Sequence, residues 1–144
     1  MAVMKPEPFR LSRAAYPFFR HVIARFSDMD AERHLNNVAL ASFYEDARVS
    51  FLRAHTGEAP PYRFVIAHVG ISYLAEAQYP GEYEVGVGVA RFGKTSFEIG
   101  CALFSGETCV GVCDSIQVAI GETGPTPLLP VLRVALEKKL LIRA

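Results

Sequence analysis

From Asn37 onward, apolar residues recur at helical spacing. Leu40, Tyr44, Ala47 and Phe51 mark one stripe, and Val38, Ala41, Phe43 and Leu52 widen it. So broad an apolar face predicts a helix covered nearly all round. Asn36 or Asn37 suits its N-cap, and Gly57 with Pro60 and Pro61 closes it. Ahead of the helix, Phe18 to Phe26 is β-compatible, and residues 27–36 are polar and break regular structure. Behind it, Phe64 to Leu74 reads as a long strand and Tyr79-Pro80-Gly81 as a turn. Tyr83, Val85, Val87 and Val89 then alternate with Glu82, Glu84, Gly86 and Gly88, the period of a strand with one packed face. Gly86 and Gly88 leave space for something pressed against that strand, either the helix or a ligand. Phe92-Gly93-Lys94 turns into a strand from Ser96 to Phe104, and Gly106 turns into another from Cys109 to Ile120. Pro125, Pro127 and Pro130 introduce a short helix over about Leu132 to Leu140, and residues 1–16 read as a loosely held arm. One long helix with a run of antiparallel strands is an α+β pattern, packed most economically as a curved sheet around the helix. At 144 residues the chain is expected to form one domain.

Composition narrows the partners. Fifteen basic and fifteen acidic residues cancel, which argues against a nucleic-acid or anionic-membrane partner bound by bulk charge. Low net charge with 51% apolar residues suggests that part of the surface is covered by another subunit. Cys101, Cys109 and Cys113 lie in strand-like segments without a C-x-x-C motif and read as reduced core thiols. Residues 1–13 carry no long apolar run of the secretory type, and no stretch of about 18 apolar residues offers a membrane span. A soluble cytoplasmic protein is expected.

The chemistry concentrates between Arg25 and Asn37, where a carboxylate pair, Asp28 and Asp30, precedes a polar loop and the start of the helix. A carboxylate beside amide-rich helix termini can attack a polarised carbonyl or activate water against it. Asp30 is either that group or a brace accepting loop amides, and Asp28 reads as a brace. His34 either orients the loop or acts on water or substrate. The side chains of Asn36 and Asn37 read as caps, while their backbone amides are available as donors whatever the side chain. Glu45 and Arg48 stand three residues apart on the helix and either pair or, for Glu45, face the pocket. Lys94, Thr95 and Ser96 follow Gly93 in a turn that is either a solvated hairpin or a ligand contact, and Arg63 and Arg91 are candidate phosphate partners. His21, His55 and His68 have no zinc-site spacing with the cysteines, so no metal is expected. G-x-S-x-G and G-x-G-x-x-G motifs are missing from the sequence, and Gly86-x-Gly88 sits within a strand rather than at the strand-to-helix turn that a phosphate-binding loop needs.

Three stretches carry a family likeness: Arg25-Phe26-x-Asp28-x-Asp30 with His34-x-Asn36-Asn37 and Phe43-Tyr44-Glu45-x-Ala47-Arg48; Tyr73-Leu74 with Ala77-x-Tyr79-Pro80-Gly81; and Val85-Gly86 with Gly93-Lys94-x-Ser96-Phe97. In this order and spacing the chain resembles hot-dog-fold acyl-CoA thioesterases of the 4-hydroxybenzoyl-CoA and long-chain acyl-CoA branch, over about residues 20–120. The resemblance implies a five-stranded antiparallel sheet around one long helix, assembled as a homodimer or homotetramer with its site at the interface. It places the catalytic aspartate at Asp30 and the amide that polarises the thioester carbonyl at about Asn37. It brings Asn36 to the substrate and the Lys94-Thr95-Ser96 turn to coenzyme A, while Arg33, where the chain departs from the family, would narrow the pocket or meet an anionic substrate group. Coenzyme A would enter as part of the substrate, with no separate cofactor. The family usually has glycine where this chain has Arg33, so either the loop takes another path or the position does not need positive φ. The rivals are a thioesterase for acyl carrier protein, a non-catalytic acyl-thioester-binding module, and a hot-dog dehydratase, for which no second His motif is present.

Overall fold

The computed structural model describes residues 5–56 and 63–143. Strand β1 (Phe18–Ile23) precedes helix α1 (Asn37–Thr56), which is followed by β2 (Arg63–Tyr73), β3 (Glu82–Phe92), β4 (Ser96–Ser105) and β5 (Thr108–Gly121). A two-residue β6 (Gly124–Pro125) folds back on β5, and helix α2 (Pro130–Glu137) comes last. The long strands lie in the order β1-β3-β4-β5-β2, and every pairing is antiparallel. The sheet curls around α1 in the hot-dog arrangement.

Register explains the core. Phe18 pairs with Val87, Val87 with Cys101, Cys101 with Cys113, and Cys113 with Ile71, so one row of apolar side chains crosses the whole sheet. Against this concave face α1 buries Ala39, Leu40, Phe43, Tyr44, Ala47 and Phe51. Each fully buried side chain of Phe or Leu size contributes about 1.5–3 kcal/mol, so this helix–sheet layer carries much of the stability. Cys101, Cys109 and Cys113 are free thiols, with Cys101 and Cys113 in this core and Cys109 half-buried. Burial pushes the Cys113 thiol up to about 11, which keeps it protonated and inert at neutral pH.

Several expectations need correction. Helix α1 is covered on one side only: Val38 is 72% exposed and Val49 41%, and Glu45, Asp46 and Arg53 are exposed. Its apolar width therefore exceeds what its own sheet uses. Strand β1 stops at Ile23 rather than Phe26, because a 3-10 turn over Phe26–Asp28 takes over. Helix α2 begins at Pro130, where a missing N–H costs nothing in a first turn, and ends at Glu137. The expected closure of α1 by Gly57, Pro60 and Pro61 lies outside the described residues.

The amino-terminal arm is also not loose. Arg10, Ala15 and Tyr16 are buried, and the Tyr16 hydroxyl donates to the Arg10 carbonyl (2.8 Å) while accepting from its Nε (2.9 Å). This layer fills the space left by the two glycines. A Cβ on Gly86 would stand 2.6 Å from Tyr16 Cγ, and one on Gly88 would stand 2.7 Å from Leu141 Cδ2. The occupant is thus neither α1 nor a ligand but the chain's own arm and tail, which meet where the Ile142 amide donates to the Ala15 carbonyl (2.8 Å). Among the described residues no helix is long and apolar enough to cross a membrane.

Candidate active site

After β1, the Ala24 amide donates to the Gly81 carbonyl (3.0 Å), which holds the chain beside the start of β3. The following 3-10 turn is closed by Asp28. Its Oδ2 accepts from the Arg25 amide (2.8 Å), and the Arg25 guanidinium reaches both oxygens (Nε–Oδ2 3.3 Å, Nη2–Oδ1 3.0 Å). Burial pushes the Asp28 carboxyl up, but the hydrogen bonds and charge of Arg25 outweigh it and hold the group below the ordinary carboxylate range. With both oxygens engaged and 3% exposure, Asp28 is fitted as a brace.

Residues 29–35 form a small hairpin, with Met29 bridged to Leu35. At its base the Asp30 amide donates to the His34 carbonyl (2.8 Å), and the Arg33 amide donates to the Asp30 carbonyl (3.1 Å). The Asp30 side chain is exposed, and its Oδ1 accepts from the amides of Glu32 (2.9 Å) and His34 (3.1 Å). Its Oδ2 has no protein partner among the described residues. One oxygen therefore fixes the carboxylate while the other stays open.

Arg33 adopts φ 65°. Both alternatives expected for this residue are overturned: the loop keeps the path that glycine favours, and the position does need positive φ. Pairing on both sides imposes it, since the Arg33 amide is tied to Asp30 and its carbonyl accepts from the Tyr79 amide (3.0 Å). The Leu35 amide likewise donates to the Ala77 carbonyl (2.7 Å) and the Asn36 amide to the Asp28 carbonyl (2.9 Å). The His34 ring has Nε2 3.1 Å from Glu76 Oε2 and Nδ1 3.8 Å from Glu32 Oε2. The ring thus lies between two flanking carboxylates while the backbone clamps Asp30.

The helix start follows at once. Asn36 is the cap: its Oδ1 accepts from the Ala39 amide (2.8 Å) and its carbonyl from the Leu40 amide (3.1 Å). Asn37 is the first helical residue, so its amide and that of Val38 precede the first helical acceptor and face outward on exposed residues. An open carboxylate oxygen and outward amides at the positive end of a helix dipole thus share one short segment. A carboxylate oxygen can serve as base or nucleophile, and N–H donors at a helix start can receive a developing oxyanion.

Other candidates are not gathered here. The Gly93–Ser96 turn (Gly93 amide to Ser96 carbonyl, 2.7 Å) lies at the far end of β3. The eleven residues of β3 span about 30 Å, so Lys94, Thr95 and Ser96 do not meet Asp30 within one chain. Lys94 and Thr95 use their carbonyls to receive the amides of Leu128 (3.2 Å) and Ala119 (2.9 Å). Glu45 and Arg48 do not pair: Glu45 is exposed, whereas Arg48 is buried with Nη1 3.6 Å from Cys113 Sγ. Arg91 is held by Glu98 (2.8 Å). A cleft of about 670 Å³ on the convex side is lined by Glu7, Arg10, His68, Asp114 and Arg143 among others, none of them from the 25–37 loop. The described residues contain no group of three His, Cys, Asp or Glu side chains placed to hold a metal. The sequence reading missed the bracing segment 76–79, together with Tyr83, whose hydroxyl accepts from the Gln78 amide (2.8 Å) and donates to its carbonyl (2.6 Å). Nothing local to residues 25–37 signals partners some forty-five positions away.

The comparisons agree with this architecture. The PA5185 protein of Pseudomonas aeruginosa superposes with a TM-score of 0.83 at 24% identity, covering 91% of this chain and 96% of that one. A thioesterase from Thermus thermophilus, solved in complex with coenzyme A and Zn, superposes with a TM-score of 0.76 at 23% identity, covering 86% and 95%. At these identities the likeness carries the fold. The uncharacterised protein YsmA of Bacillus subtilis (strain 168) is 27% identical over 94 residues, 64% of each chain, so this chain spans just under two thirds of that curated relative. A family model described as the thioesterase-like superfamily matches residues 24–136, from the end of β1 to the end of α2, and the chain belongs to that superfamily.

Proposed function

We propose that this protein hydrolyses acyl-CoA thioesters to a free acid and coenzyme A. Asp30 acts on the thioester carbonyl carbon, either by taking a proton from water or by attacking directly. The amide near Asn37 receives the developing oxyanion. When Asp30 takes the proton, water oxygen bonds to the carbonyl carbon, the C–S bond breaks, and the proton passes to the departing thiolate. When Asp30 attacks, an anhydride forms as the C–S bond breaks. Water then cleaves the anhydride to the free acid and the Asp30 carboxylate, its remaining proton going to the thiolate. Asn36 sets the helix start, and His34 positions Asp30. The observation that carries this reading is the asymmetry of Asp30, with one oxygen fixed by two amides and the other open, on the loop that leads into the helix start. General-base help contributes roughly 10²–10⁴-fold and an oxyanion donor about 10²–10³-fold, enough together for an already activated ester. Coenzyme A bound to the Thermus thermophilus thioesterase makes it the carrier to test first.

The catalytic unit is a homodimer or homotetramer. The outer edge of β2 has no strand beside it among the described residues, and Ile66, Val69 and Tyr73 are 48%, 41% and 54% exposed there. A second copy supplies the Lys94–Ser96 turn, which its own chain holds far from Asp30. The test is thiol release across short, long and aromatic acyl-CoAs, run beside Asp30→Asn. Hydrolysis of at least one thioester, lost in the variant, supports the reading; full activity in the variant defeats it. One observation favours acyl-thioester binding without turnover: Asp30 Oδ1 already serves as a loop brace. Acyl-CoA binding with no thiol released would establish that alternative. Acyl carrier protein as the thioester carrier is tested in the same assay by substituting its thioesters.

A further inference from the structure

We propose that Arg33 selects thioesters whose acyl group carries a carboxylate at its far end, a proposal that rests on the thioesterase reading above. The argument begins with the backbone. At φ 65° glycine sits without penalty and arginine does not. The hydrogen bonds that impose this conformation run through the Arg33 amide and carbonyl, so glycine would make every one of them. The arginine side chain contributes nothing to the loop in return. It is exposed, and among the described residues its guanidinium pairs with no carboxylate, although Asp30, Glu32 and Glu76 all stand on or beside the same loop. A costly residue whose side chain has no work inside the fold points to work outside it.

Reach identifies the anion. Arg33 and Asp30 are the ends of one four-residue turn, which places their Cα atoms within about 7 Å. With a stem of three methylenes folded toward Asp30, the guanidinium meets an anion within roughly 10 Å of that carboxylate, and extended away from it the reach grows to roughly 15 Å. The phosphates of coenzyme A lie beyond the pantetheine arm, roughly 15 Å from the sulfur when extended, by the rise of an extended chain. An anion inside the shorter radius therefore belongs to the acyl group. A carboxylate three or four carbons from the thioester carbon fits, and the planar guanidinium fork matches it through two parallel hydrogen bonds.

The test compares glutaryl-CoA with pentanoyl-CoA, which share a five-carbon acyl chain and differ in the terminal charge. In Arg33→Gly, which relieves the backbone rather than straining it, the ratio of kcat/KM for glutaryl over pentanoyl thioester falls about 10–100-fold, the worth of a charge-assisted hydrogen bond. Arg33→Lys keeps the charge without the fork and falls between. The same fall persists with the two acyl groups on pantetheine, which lacks the nucleotide phosphates. A ratio equal in wild type and Arg33→Gly overturns the proposal. So does a fall seen with coenzyme A thioesters and lost with pantetheine thioesters, because the anion would then be a phosphate. If wild-type protein releases thiol from neither of these two substrates, the wider acyl-CoA panel decides the thioesterase reading, while equilibrium binding of the two thioesters decides the selectivity separately. A preference for glutaryl-CoA lost in Arg33→Gly sustains it, and equal affinities in wild type overturn it.

Discussion

Asp28 and Asp30 stand two residues apart and live in opposite environments. Asp28 is buried, both its oxygens are taken by Arg25, and its carboxyl is held acidic. Asp30 is exposed, with one oxygen engaged and one open. A carboxylate saturated with donors is stabilising and chemically idle, whereas one held by half its valence is positioned and still reactive. The same residue type meets two environments because the turn closes on the first aspartate and the hairpin opens on the second.

The sharpest way to break this contrast is Asp30→Asn. The amide oxygen still accepts from Glu32 and His34, so the loop survives while the negative charge is lost. Acyl-CoA hydrolysis, followed by thiol release, is expected to fall at least about 10²-fold with the melting temperature little changed. Asp28→Ala is the converse. It removes the acceptor of the Arg25 amide and should cost about 1–2 kcal/mol, read as a lowered denaturant midpoint. Large stability loss in the first variant with none in the second would reverse the assignment. Asn36→Ala strips the cap from α1 and should cost about 1 kcal/mol. Arg33→Gly should raise stability: relief of roughly 1–2 kcal/mol of left-handed backbone strain exceeds the roughly 0.5–1 kcal/mol entropy cost of glycine. The smallest effect concerns pH. Because the Asp28 carboxyl is lowered in the folded state, its contribution is fully present above the unfolded-state value near 3.8 and is lost as pH falls through the folded value. Asp28→Asn should therefore flatten the acid limb of a stability–pH curve and leave neutral pH as the region of largest difference from wild type.

Much of this was legible in the residues themselves. The alternation from Tyr83 to Val89 gave β3, the glycine turns gave β4 and β5, and the stripe from Leu40 to Phe51 gave α1, because period and turn chemistry are local. The start of α1 was narrowed to two asparagines, and the Ala39 amide decides for Asn36. Arg33 was misread for a physical reason: its side chain argues against positive φ, and pairing with Asp30 and Tyr79 overrides that preference. Gly86 and Gly88 showed that something presses on the sheet but not what, since a gap in one strand does not name its occupant. The width of the apolar face on α1 was real, but the sheet covers only part of it. The separation of Lys94–Ser96 from Asp30 also escaped the sequence, because it depends on which end of β3 each loop occupies.

The arm and tail that clad β3 and β4 limit how this molecule can grow into an assembly. With α1 inside the curl and Tyr16, Pro17 and Leu141 seated on the outside, the middle of the sheet is sealed on both faces. A second copy of the chain would therefore meet either the rim strands and the exposed side of α1, or a veneer made from the arm and the tail. Any contact of the second kind transmits force to the sheet only through that veneer, so trimming either extremity would alter the outer surface and the seating of the sheet together.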